Sequence, residues 1–156
     1  MIEQNFDHLI SEAVDTVLET MFFTVSLGPA EAVSDEPVLE ARVSFQGVPS
    51  GTLTVRLSEA SSRVLAAGFL GEDEDVLTGS EAGQVVCELA NMVCGTLASK
   101  LETEGTFNLA APELIVAGVQ NDSGHDHFLA AQQSCALESG ILTVTLHLGA
   151  VHDWGK

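Results

Sequence analysis

The segment SEAGQVVCELANMVCGTLASKLETE, residues 80–104, decides the architecture of this chain. It contains no proline, and its only glycines are Gly83 and Gly95. Apolar residues recur in it at helical spacing, namely Val85, Leu89, Met92, Leu97 and Leu101. The pattern predicts one long central helix from Ser80 to about Glu104.

The polar side of this helix carries a carboxylate and an amide three residues apart, Glu88 and Asn91. Residues at this spacing share one face of a helix, and Gln84 lies one turn before Glu88. Asparagine is a mediocre helix former, so its position in mid-helix has a small cost that a function would explain. The same short pattern also occurs on ordinary solvated helix faces, and the residues alone leave both interpretations open.

Regular elements are also predicted on both sides of the central helix, from apolar periodicity and from glycine and proline positions. Before it come an amphipathic helix from Phe6 to Phe23, a loop from Ser26 to Pro37, strands from Val38 to Phe45 and Thr52 to Leu57, a helix capped by Ser58 and ending near Phe69, and an acidic loop from Gly71 to Asp75. After it come a strand from Leu114 to Val119, a polar loop from Gln120 to His127, and strands from Phe128 to Ala136 and Ile141 to Leu148.

This order of elements predicts an α+β sandwich in one domain spanning residues 1–156, with long helices packed on a mainly antiparallel sheet. The strand sequence SGTLTVRL at residues 50–57 is echoed by SGILTVTL at residues 139–146. An internal duplication would explain the echo, with each half supplying a helix followed by a hairpin. The frequent use of Thr and Val in strands would explain it equally well.

The composition excludes several classes of partner. The formal net charge is −18, from 23 acidic residues against five Lys and Arg, which disfavours binding to nucleic acid or anionic lipid.

No apolar run approaches the roughly 20 residues that span a bilayer. The N-terminal residues carry acids where a secretory signal carries Lys or Arg, so we expect a cytoplasmic protein. Its three cysteines lack a C-x-x-C pair, which predicts reduced, mainly structural thiols.

Two segments could be considered as metal sites. The run of four acids at residues 72–75 lacks the ligand spacing of an EF-hand loop. His125 and His127, with Asp122 and Asp126, could bind a metal from a loop, as a metal-dependent hydrolase would require, or form a solvated turn. We expect no metal site at either segment.

The stretch from Glu88 to Gly95, continued through Glu102 and followed by Pro112, resembles the CheC/CheX family of bacterial chemotaxis phosphatases. In that family a helix carries E-x-x-N and a proline follows about twenty residues on. CheX, with a single such motif, is the closer match. The resemblance extends from Asp15 to the C-terminal strand and is most specific between Glu81 and Gly118.

This resemblance implies a phosphatase acting on the phosphorylated aspartate of a CheY-type response regulator. Asn91 would orient the attacking water, and Glu88 would pair with the regulator's active-site lysine. Gln84, Gly95 and Pro112 would lie at the partner contact, although some members carry Asp or Ser where this chain has Gln84. The family further implies a homodimer formed through the sheet, with Mg²⁺ bound by the regulator and no cofactor of the chain's own. A non-catalytic module of the flagellar-switch type is the alternative.

Overall fold

A computed structural model describes residues 5–22, 24–31, 38–47, 50–101, 108–115 and 128–149. Its first element is helix α1, Phe6–Met21. The side-chain oxygen of Asn5 caps this helix by accepting a 3.1 Å hydrogen bond from the backbone N–H of His8. One apolar stripe is buried, formed by Ile10, Ala13, Val14, Val17 and Leu18. The predicted amphipathic helix is therefore confirmed.

A hairpin of strands β1 (Val38–Gln46) and β2 (Gly51–Ser58) follows. The two strands are antiparallel, with Val38 paired to Ser58 and Phe45 to Gly51. Buried and less buried residues alternate along both strands, as expected for a sheet with one face on the core. The buried positions are Ala41, Val43, Phe45, Gly51, Leu53, Val55 and Leu57.

Helix α2, Glu59–Leu70, begins where the sequence predicted. The Ser58 hydroxyl accepts a 3.0 Å hydrogen bond from the backbone N–H of Ser61. The helix ends at Gly71, which has a left-handed φ of 72° that favours glycine. The following acidic segment was predicted as a loop, but it includes a turn of 3-10 helix, Glu74–Val76. Short 3-10 turns are common connectors, and their three residues are too few to show periodicity.

The rest of the described chain contains helix α3 (Gly79–Leu101) and strands β3 (Asn108–Leu109), β4 (Glu113–Ile115), β5 (Phe128–Leu137) and β6 (Gly140–Leu148). Strand β3 was not predicted, because two residues give no alternating pattern. The predicted strand from Leu114 to Val119 begins one residue earlier, at Glu113, and its last four residues lie outside the described part of the chain.

All strands pair antiparallel in the order β3-β1-β2-β6-β5, and β4 pairs with the same edge of β1 as β3 does. α3 packs over β1 and β2, α1 packs over β5, and both α1 and α2 contact α3. Helices and sheet share one apolar core. The α+β sandwich with a mainly antiparallel sheet is thus confirmed.

The two echoed strand sequences lie side by side in the centre of the sheet. Val55 of β2 and Val144 of β6, which occupy equivalent positions in the echo, face each other in register. Each central strand belongs to its own hairpin, β1-β2 or β5-β6. This arrangement agrees with two related halves, while the duplication itself stays a prediction.

Candidate functional site

A reciprocal pair of hydrogen bonds fixes the start of α3. The Glu81 carboxylate accepts a hydrogen bond from the backbone N–H of Thr78, and the Thr78 hydroxyl accepts one from the backbone N–H of Glu81, each at 3.0 Å. This is a capping box, which satisfies donors that the first turn of a helix leaves without partners. The T-x-x-E spacing of Thr78 and Glu81 is the sequence signal of this helix start. The helix consequently begins at Gly79, one residue before the predicted start.

The sides of α3 facing the core and the other helices anchor it firmly. Its buried side chains are those of Ala82, Val85, Val86, Leu89, Ala90, Val93, Cys94, Leu97 and Ala98. Burial over so wide an arc leaves the helix little freedom to rotate. The backbone positions from which its outer side chains project are therefore fixed.

The outer stripe of α3 contains Gln84, Glu88, Asn91 and Gly95 in successive turns. Gln84 and Glu88 are exposed, whereas Asn91 and Gly95 are partly buried. With 3.6 residues per turn, these four positions fall within an arc of about 60°. The fold thus brings four of the five site residues predicted from the sequence onto one accessible face, which we call the α3 stripe.

Glu88 and Asn91 are available to an external partner. Within the described part of the chain, neither side chain forms a hydrogen bond or an ion pair. Cβ atoms at this spacing on a helix are about 5–6 Å apart, so both groups can address one small target. The carboxylate can accept from a cationic donor, and the amide can both donate and accept hydrogen bonds.

Strand β4 lies against α3 beside this stripe. A Cβ placed on Gly83 would be 3.0 Å from Cδ2 of Leu114, so the helix and the strand approach closely there. Leu114 nevertheless remains 43% exposed, and Pro112 is partly buried just before the strand. The fifth predicted residue therefore lies on a segment that borders α3. The Gly83–Leu114 contact was not foreseen, because only the pairing of β4 with β1 brings Leu114 to the helix.

The thiol groups do not offer a nucleophile to this site. Cys87 lies beside Glu88, and its pKa is raised by burial and, less strongly, by the Glu88 carboxylate. Burial raises the pKa of Cys94 to about 12 and also raises that of Cys135. All three cysteines are free. They remain protonated near neutral pH, which agrees with the structural role predicted for them.

The described residues contain neither a metal-binding cluster nor a membrane-spanning helix. No group of three or more His, Cys, Asp or Glu side chains among them could hold a metal ion. His125 and His127, considered above as ligands, lie outside the described part of the chain. No helix in that part is long and apolar enough to cross a bilayer.

Comparison with protein-family models gives a match over more than half of the chain. Residues 39–125 match the family model described as chemotaxis phosphatase CheX, a range that includes all five predicted site residues. The chain belongs to the CheX family. It is therefore a chemotaxis phosphatase, as the resemblance of the Glu88 to Pro112 region implied. Comparison with curated proteins finds no match.

Solved CheX structures have the same fold. The match with CheX from Vibrio vulnificus covers 95% of this chain and 99% of that chain, with 18% identity and a TM-score of 0.73. For CheX from Desulfovibrio desulfuricans the coverages are 93% and 99%, with 21% identity and a TM-score of 0.70. For the CheX–CheY–BeF3–Mg²⁺ complex from Borrelia burgdorferi they are 95% and 100%, with 16% identity and a TM-score of 0.69. These neighbours share nearly the whole architecture.

Proposed function

We propose that this protein hydrolyses the aspartyl phosphate of a CheY-type response regulator and that Asn91 and Glu88 carry the reaction. The regulator is the substrate, and loss of its phosphoryl group terminates a chemotaxis or related two-component signal. Family membership and the Borrelia complex of a CheX with CheY support this substrate. The single structural observation that supports the residue assignment is the pair on the α3 stripe, an exposed Glu88 and a partly buried Asn91, neither of which has a hydrogen bond or an ion pair with a described residue.

Asn91 positions the water. Its amide fixes a water molecule in line with the bond between phosphorus and the aspartyl oxygen, without competing as a base. The water oxygen bonds to phosphorus as that bond breaks. The electron pair of the broken bond stays with the aspartate carboxylate. The water's protons end on the phosphate product or in solvent. Because acyl phosphate is already reactive, positioning the water supplies much of the remaining catalysis, as a glutamine does in GTPases.

Glu88 holds the partner. Its exposed carboxylate pairs with the active-site lysine of the regulator, which brings the phosphoaspartate under Asn91. The other stripe positions support docking, with Gln84 one turn before the carboxylate and Gly95 one turn beyond the amide. Pro112 sets the course of the segment that leads into β4 beside them. Complementary charges orient the encounter between two proteins. In a chain with a formal charge of −18, the pairing of Glu88 with the regulator's lysine would therefore help to align the regulator.

The chain contributes no metal to this step. The Mg²⁺ named with the Borrelia complex belongs, in this proposal, to the response regulator, where a divalent cation neutralises charge on the phosphoryl oxygens. The described side chains of this protein then need only bind, orient and place a water. Its catalytic site is completed when the partner docks.

Location and assembly follow from the same proposal. A phosphatase of response regulators acts where these regulators are phosphorylated, so we place the protein in the cytoplasm. The homodimer implied by the family remains a prediction, which light scattering of the purified protein tests directly.

The direct test mixes the protein with each phosphorylated receiver domain of its host and times phosphate release. We expect the half-life of one receiver, or of a small group, to shorten in proportion to protein concentration. A receiver that binds without faster hydrolysis would favour the alternative, a non-catalytic interaction module. If no phosphorylated receiver is dephosphorylated faster, the proposed function is wrong.

A further inference from the structure

The flank of the α3 stripe carries an exposed leucine. Leu114 is the middle residue of β4, and it is 43% exposed although its cross-strand partner Ala41 is 0% exposed. Single exposed leucines are common on protein surfaces, so the surroundings decide what such a residue can do. Here the surroundings are the helix that carries Glu88 and Asn91.

Gly83 of α3 gives this leucine its place against the helix. Gly83 is buried, and a Cβ placed on it would lie 3.0 Å from Cδ2 of Leu114 and within 4.0 Å of its Cγ and Cδ1. The branched end of the leucine therefore rests against α3 at the point where glycine leaves it room. Packing on this side holds the side chain, and its other side faces solvent.

Leu114 borders the turn of α3 that the Glu88 side chain covers. Gly83 immediately precedes Gln84, and Glu88 follows Gly83 at a rise of about 7.5 Å along the helix axis. Helical side chains lean towards the N-terminus, so that of Glu88 covers the turn between it and Gln84. Asn91 is about 12 Å from Gly83 along the axis. The leucine is therefore nearer to the carboxylate than to the amide.

Exposed polar residues flank Leu114 on both elements. Glu113 precedes it on β4 and is exposed, as are Gln84 and Glu88 on the helix. An apolar side chain that is held in place, with polar groups around it, is the arrangement that protein interfaces use for their buried contacts. A partner that docks on the α3 stripe would cover Leu114 as well.

We propose that Leu114 selects among phosphorylated response regulators by packing on an apolar patch beside the regulator's active-site lysine. This inference rests on the phosphatase function proposed above. Glu88 and Asn91 address the lysine and the phosphoaspartate, which every regulator of this type offers, so these two contacts discriminate little between regulators. A regulator with a charged group opposite Leu114 would bury that charge without a partner and bind more weakly. Gly83 is a positioning residue, because it acts through the leucine.

The test measures kcat and KM on the receiver domain that the parent protein dephosphorylates fastest. Leu114→Ala should raise KM roughly fivefold and leave kcat nearly unchanged, because the apolar contact is made equally in the ground state and the transition state. The ratio of kcat/KM between this receiver and the next best one should become smaller. An unchanged KM in Leu114→Ala would overturn the proposal.

Two variants control for the chemistry and the place of the substitution. Leu114→Met keeps an apolar side chain of similar volume and should recover most of the affinity that Leu114→Ala loses. Leu129→Ala is the matched control, since Leu129 is an exposed leucine on β5, at the opposite edge of the sheet from β4. A rise in KM of the same size in Leu129→Ala would contradict a local contact at Leu114.

Further readouts separate a docking contact from an effect on folding. Unfolding of a fraction of the molecules lowers the apparent kcat at an unchanged KM, the reverse of the expected result. Added salt should leave the effect of Leu114→Ala unchanged, whereas it screens a charge pairing such as that of Glu88. Gly83→Ala should displace the leucine and raise KM severalfold, but it should raise KM no further in Leu114→Ala. Additive effects of the two substitutions would contradict the positioning role of Gly83.

The same assay distinguishes failure of this inference from failure of the proposed function. If the parent protein dephosphorylates a receiver, and Leu114→Ala does so with the same KM and the same preference among receivers, only the role of Leu114 is wrong. If the parent protein accelerates dephosphorylation of no receiver, the phosphatase function is wrong and the role of Leu114 is wrong with it.

Discussion

The side chains of Thr78 and Glu81 each accept a hydrogen bond from the other residue's backbone N–H, at 3.0 Å in both directions. This reciprocal cap sets the first residue of α3. Glu88 lies two turns beyond Glu81 and Asn91 nearly one further turn on, so the cap and the buried face together define where both side chains emerge.

Replacing the capping threonine should lower stability. Thr78→Ala removes the hydroxyl that accepts from the Glu81 N–H, and we expect a loss of about 1 kcal/mol in the free energy of unfolding. Urea denaturation measures it. Ser80→Ala is the matched control, because Ser80 is exposed and its hydroxyl has no hydrogen bond to a described residue. Equal stability of the two variants would contradict the role of the cap.

A substitution at Gly95 should affect the stability of the fold and the docking of the partner in opposite directions. A Cβ there would meet no atom within 4 Å, so Gly95→Ala should stabilise α3 by up to about 1 kcal/mol through helix propensity. If the partner's backbone approaches this position, the same methyl group should lower the phosphatase kcat/KM severalfold. Ser99→Ala, one turn further on and exposed, should leave activity unchanged. A fully active Gly95→Ala would remove this residue from the partner contact.

The buried thiol of Cys94 predicts a loss of stability in alkali. Its pKa is near 9.0 when unfolded and about 12 in the folded chain. The contribution of the buried thiol to the free energy of unfolding is therefore fully present below pH 9. It falls as pH rises towards 12, because in this range only the unfolded chain releases the proton. The slope is about 1.4 kcal/mol per pH unit. The chain has no tyrosine, which leaves few other groups titrating in this range.

Urea unfolding at about pH 8 and about pH 10.5 checks this slope. In Cys94→Ala the overall stability will fall from the lost packing, but the decrease between the two pH values should be smaller than in the parent protein. An identical decrease in both proteins would contradict the assigned pKa.

Truncating the carboxylate of the site should weaken partner binding. Glu88→Ala removes the proposed contact with the regulator's lysine, so KM for the phosphorylated regulator should rise roughly tenfold while kcat changes little. Added salt should reduce the difference between variant and parent, since it screens the pairing. Glu72→Ala, an exposed acid on the segment before α3, is the control for general charge. An unchanged KM in Glu88→Ala would exclude the proposed contact.

Much of the fold could be predicted because apolar periodicity, capping residues and turn residues mark its helices and strands locally. The apolar stripe of α1, the cap at Ser58 and the alternation along β1 and β2 are local signals, and the elements formed where they indicated. The two-residue strand β3 and the 3-10 turn at Glu74–Val76 are too short for any period. Strand order is non-local, and the central placement of β2 beside β6 became visible only in the sheet.

The site was predictable in part for the same reason. The spacing from Gln84 to Gly95 places these residues on one helix face by geometry alone, and the resemblance named their roles. Contacts made through the sheet were not predictable, because the approach of Leu114 to Gly83 depends on β4 pairing with β1. The pocket lined by α1, β5 and β6 likewise depends on how these elements pack together, which no local pattern encodes.

The central claim is that the Asn91 amide places the attacking water, and the rate of dephosphorylation at saturating protein concentration tests it most directly. Asn91→Ala should still bind the phosphorylated regulator, because Glu88 is intact. Its kcat should fall by about a hundredfold, the scale expected when a reacting group loses its positioning. Hydrolysis by Asn91→Ala at the parent rate would contradict the account.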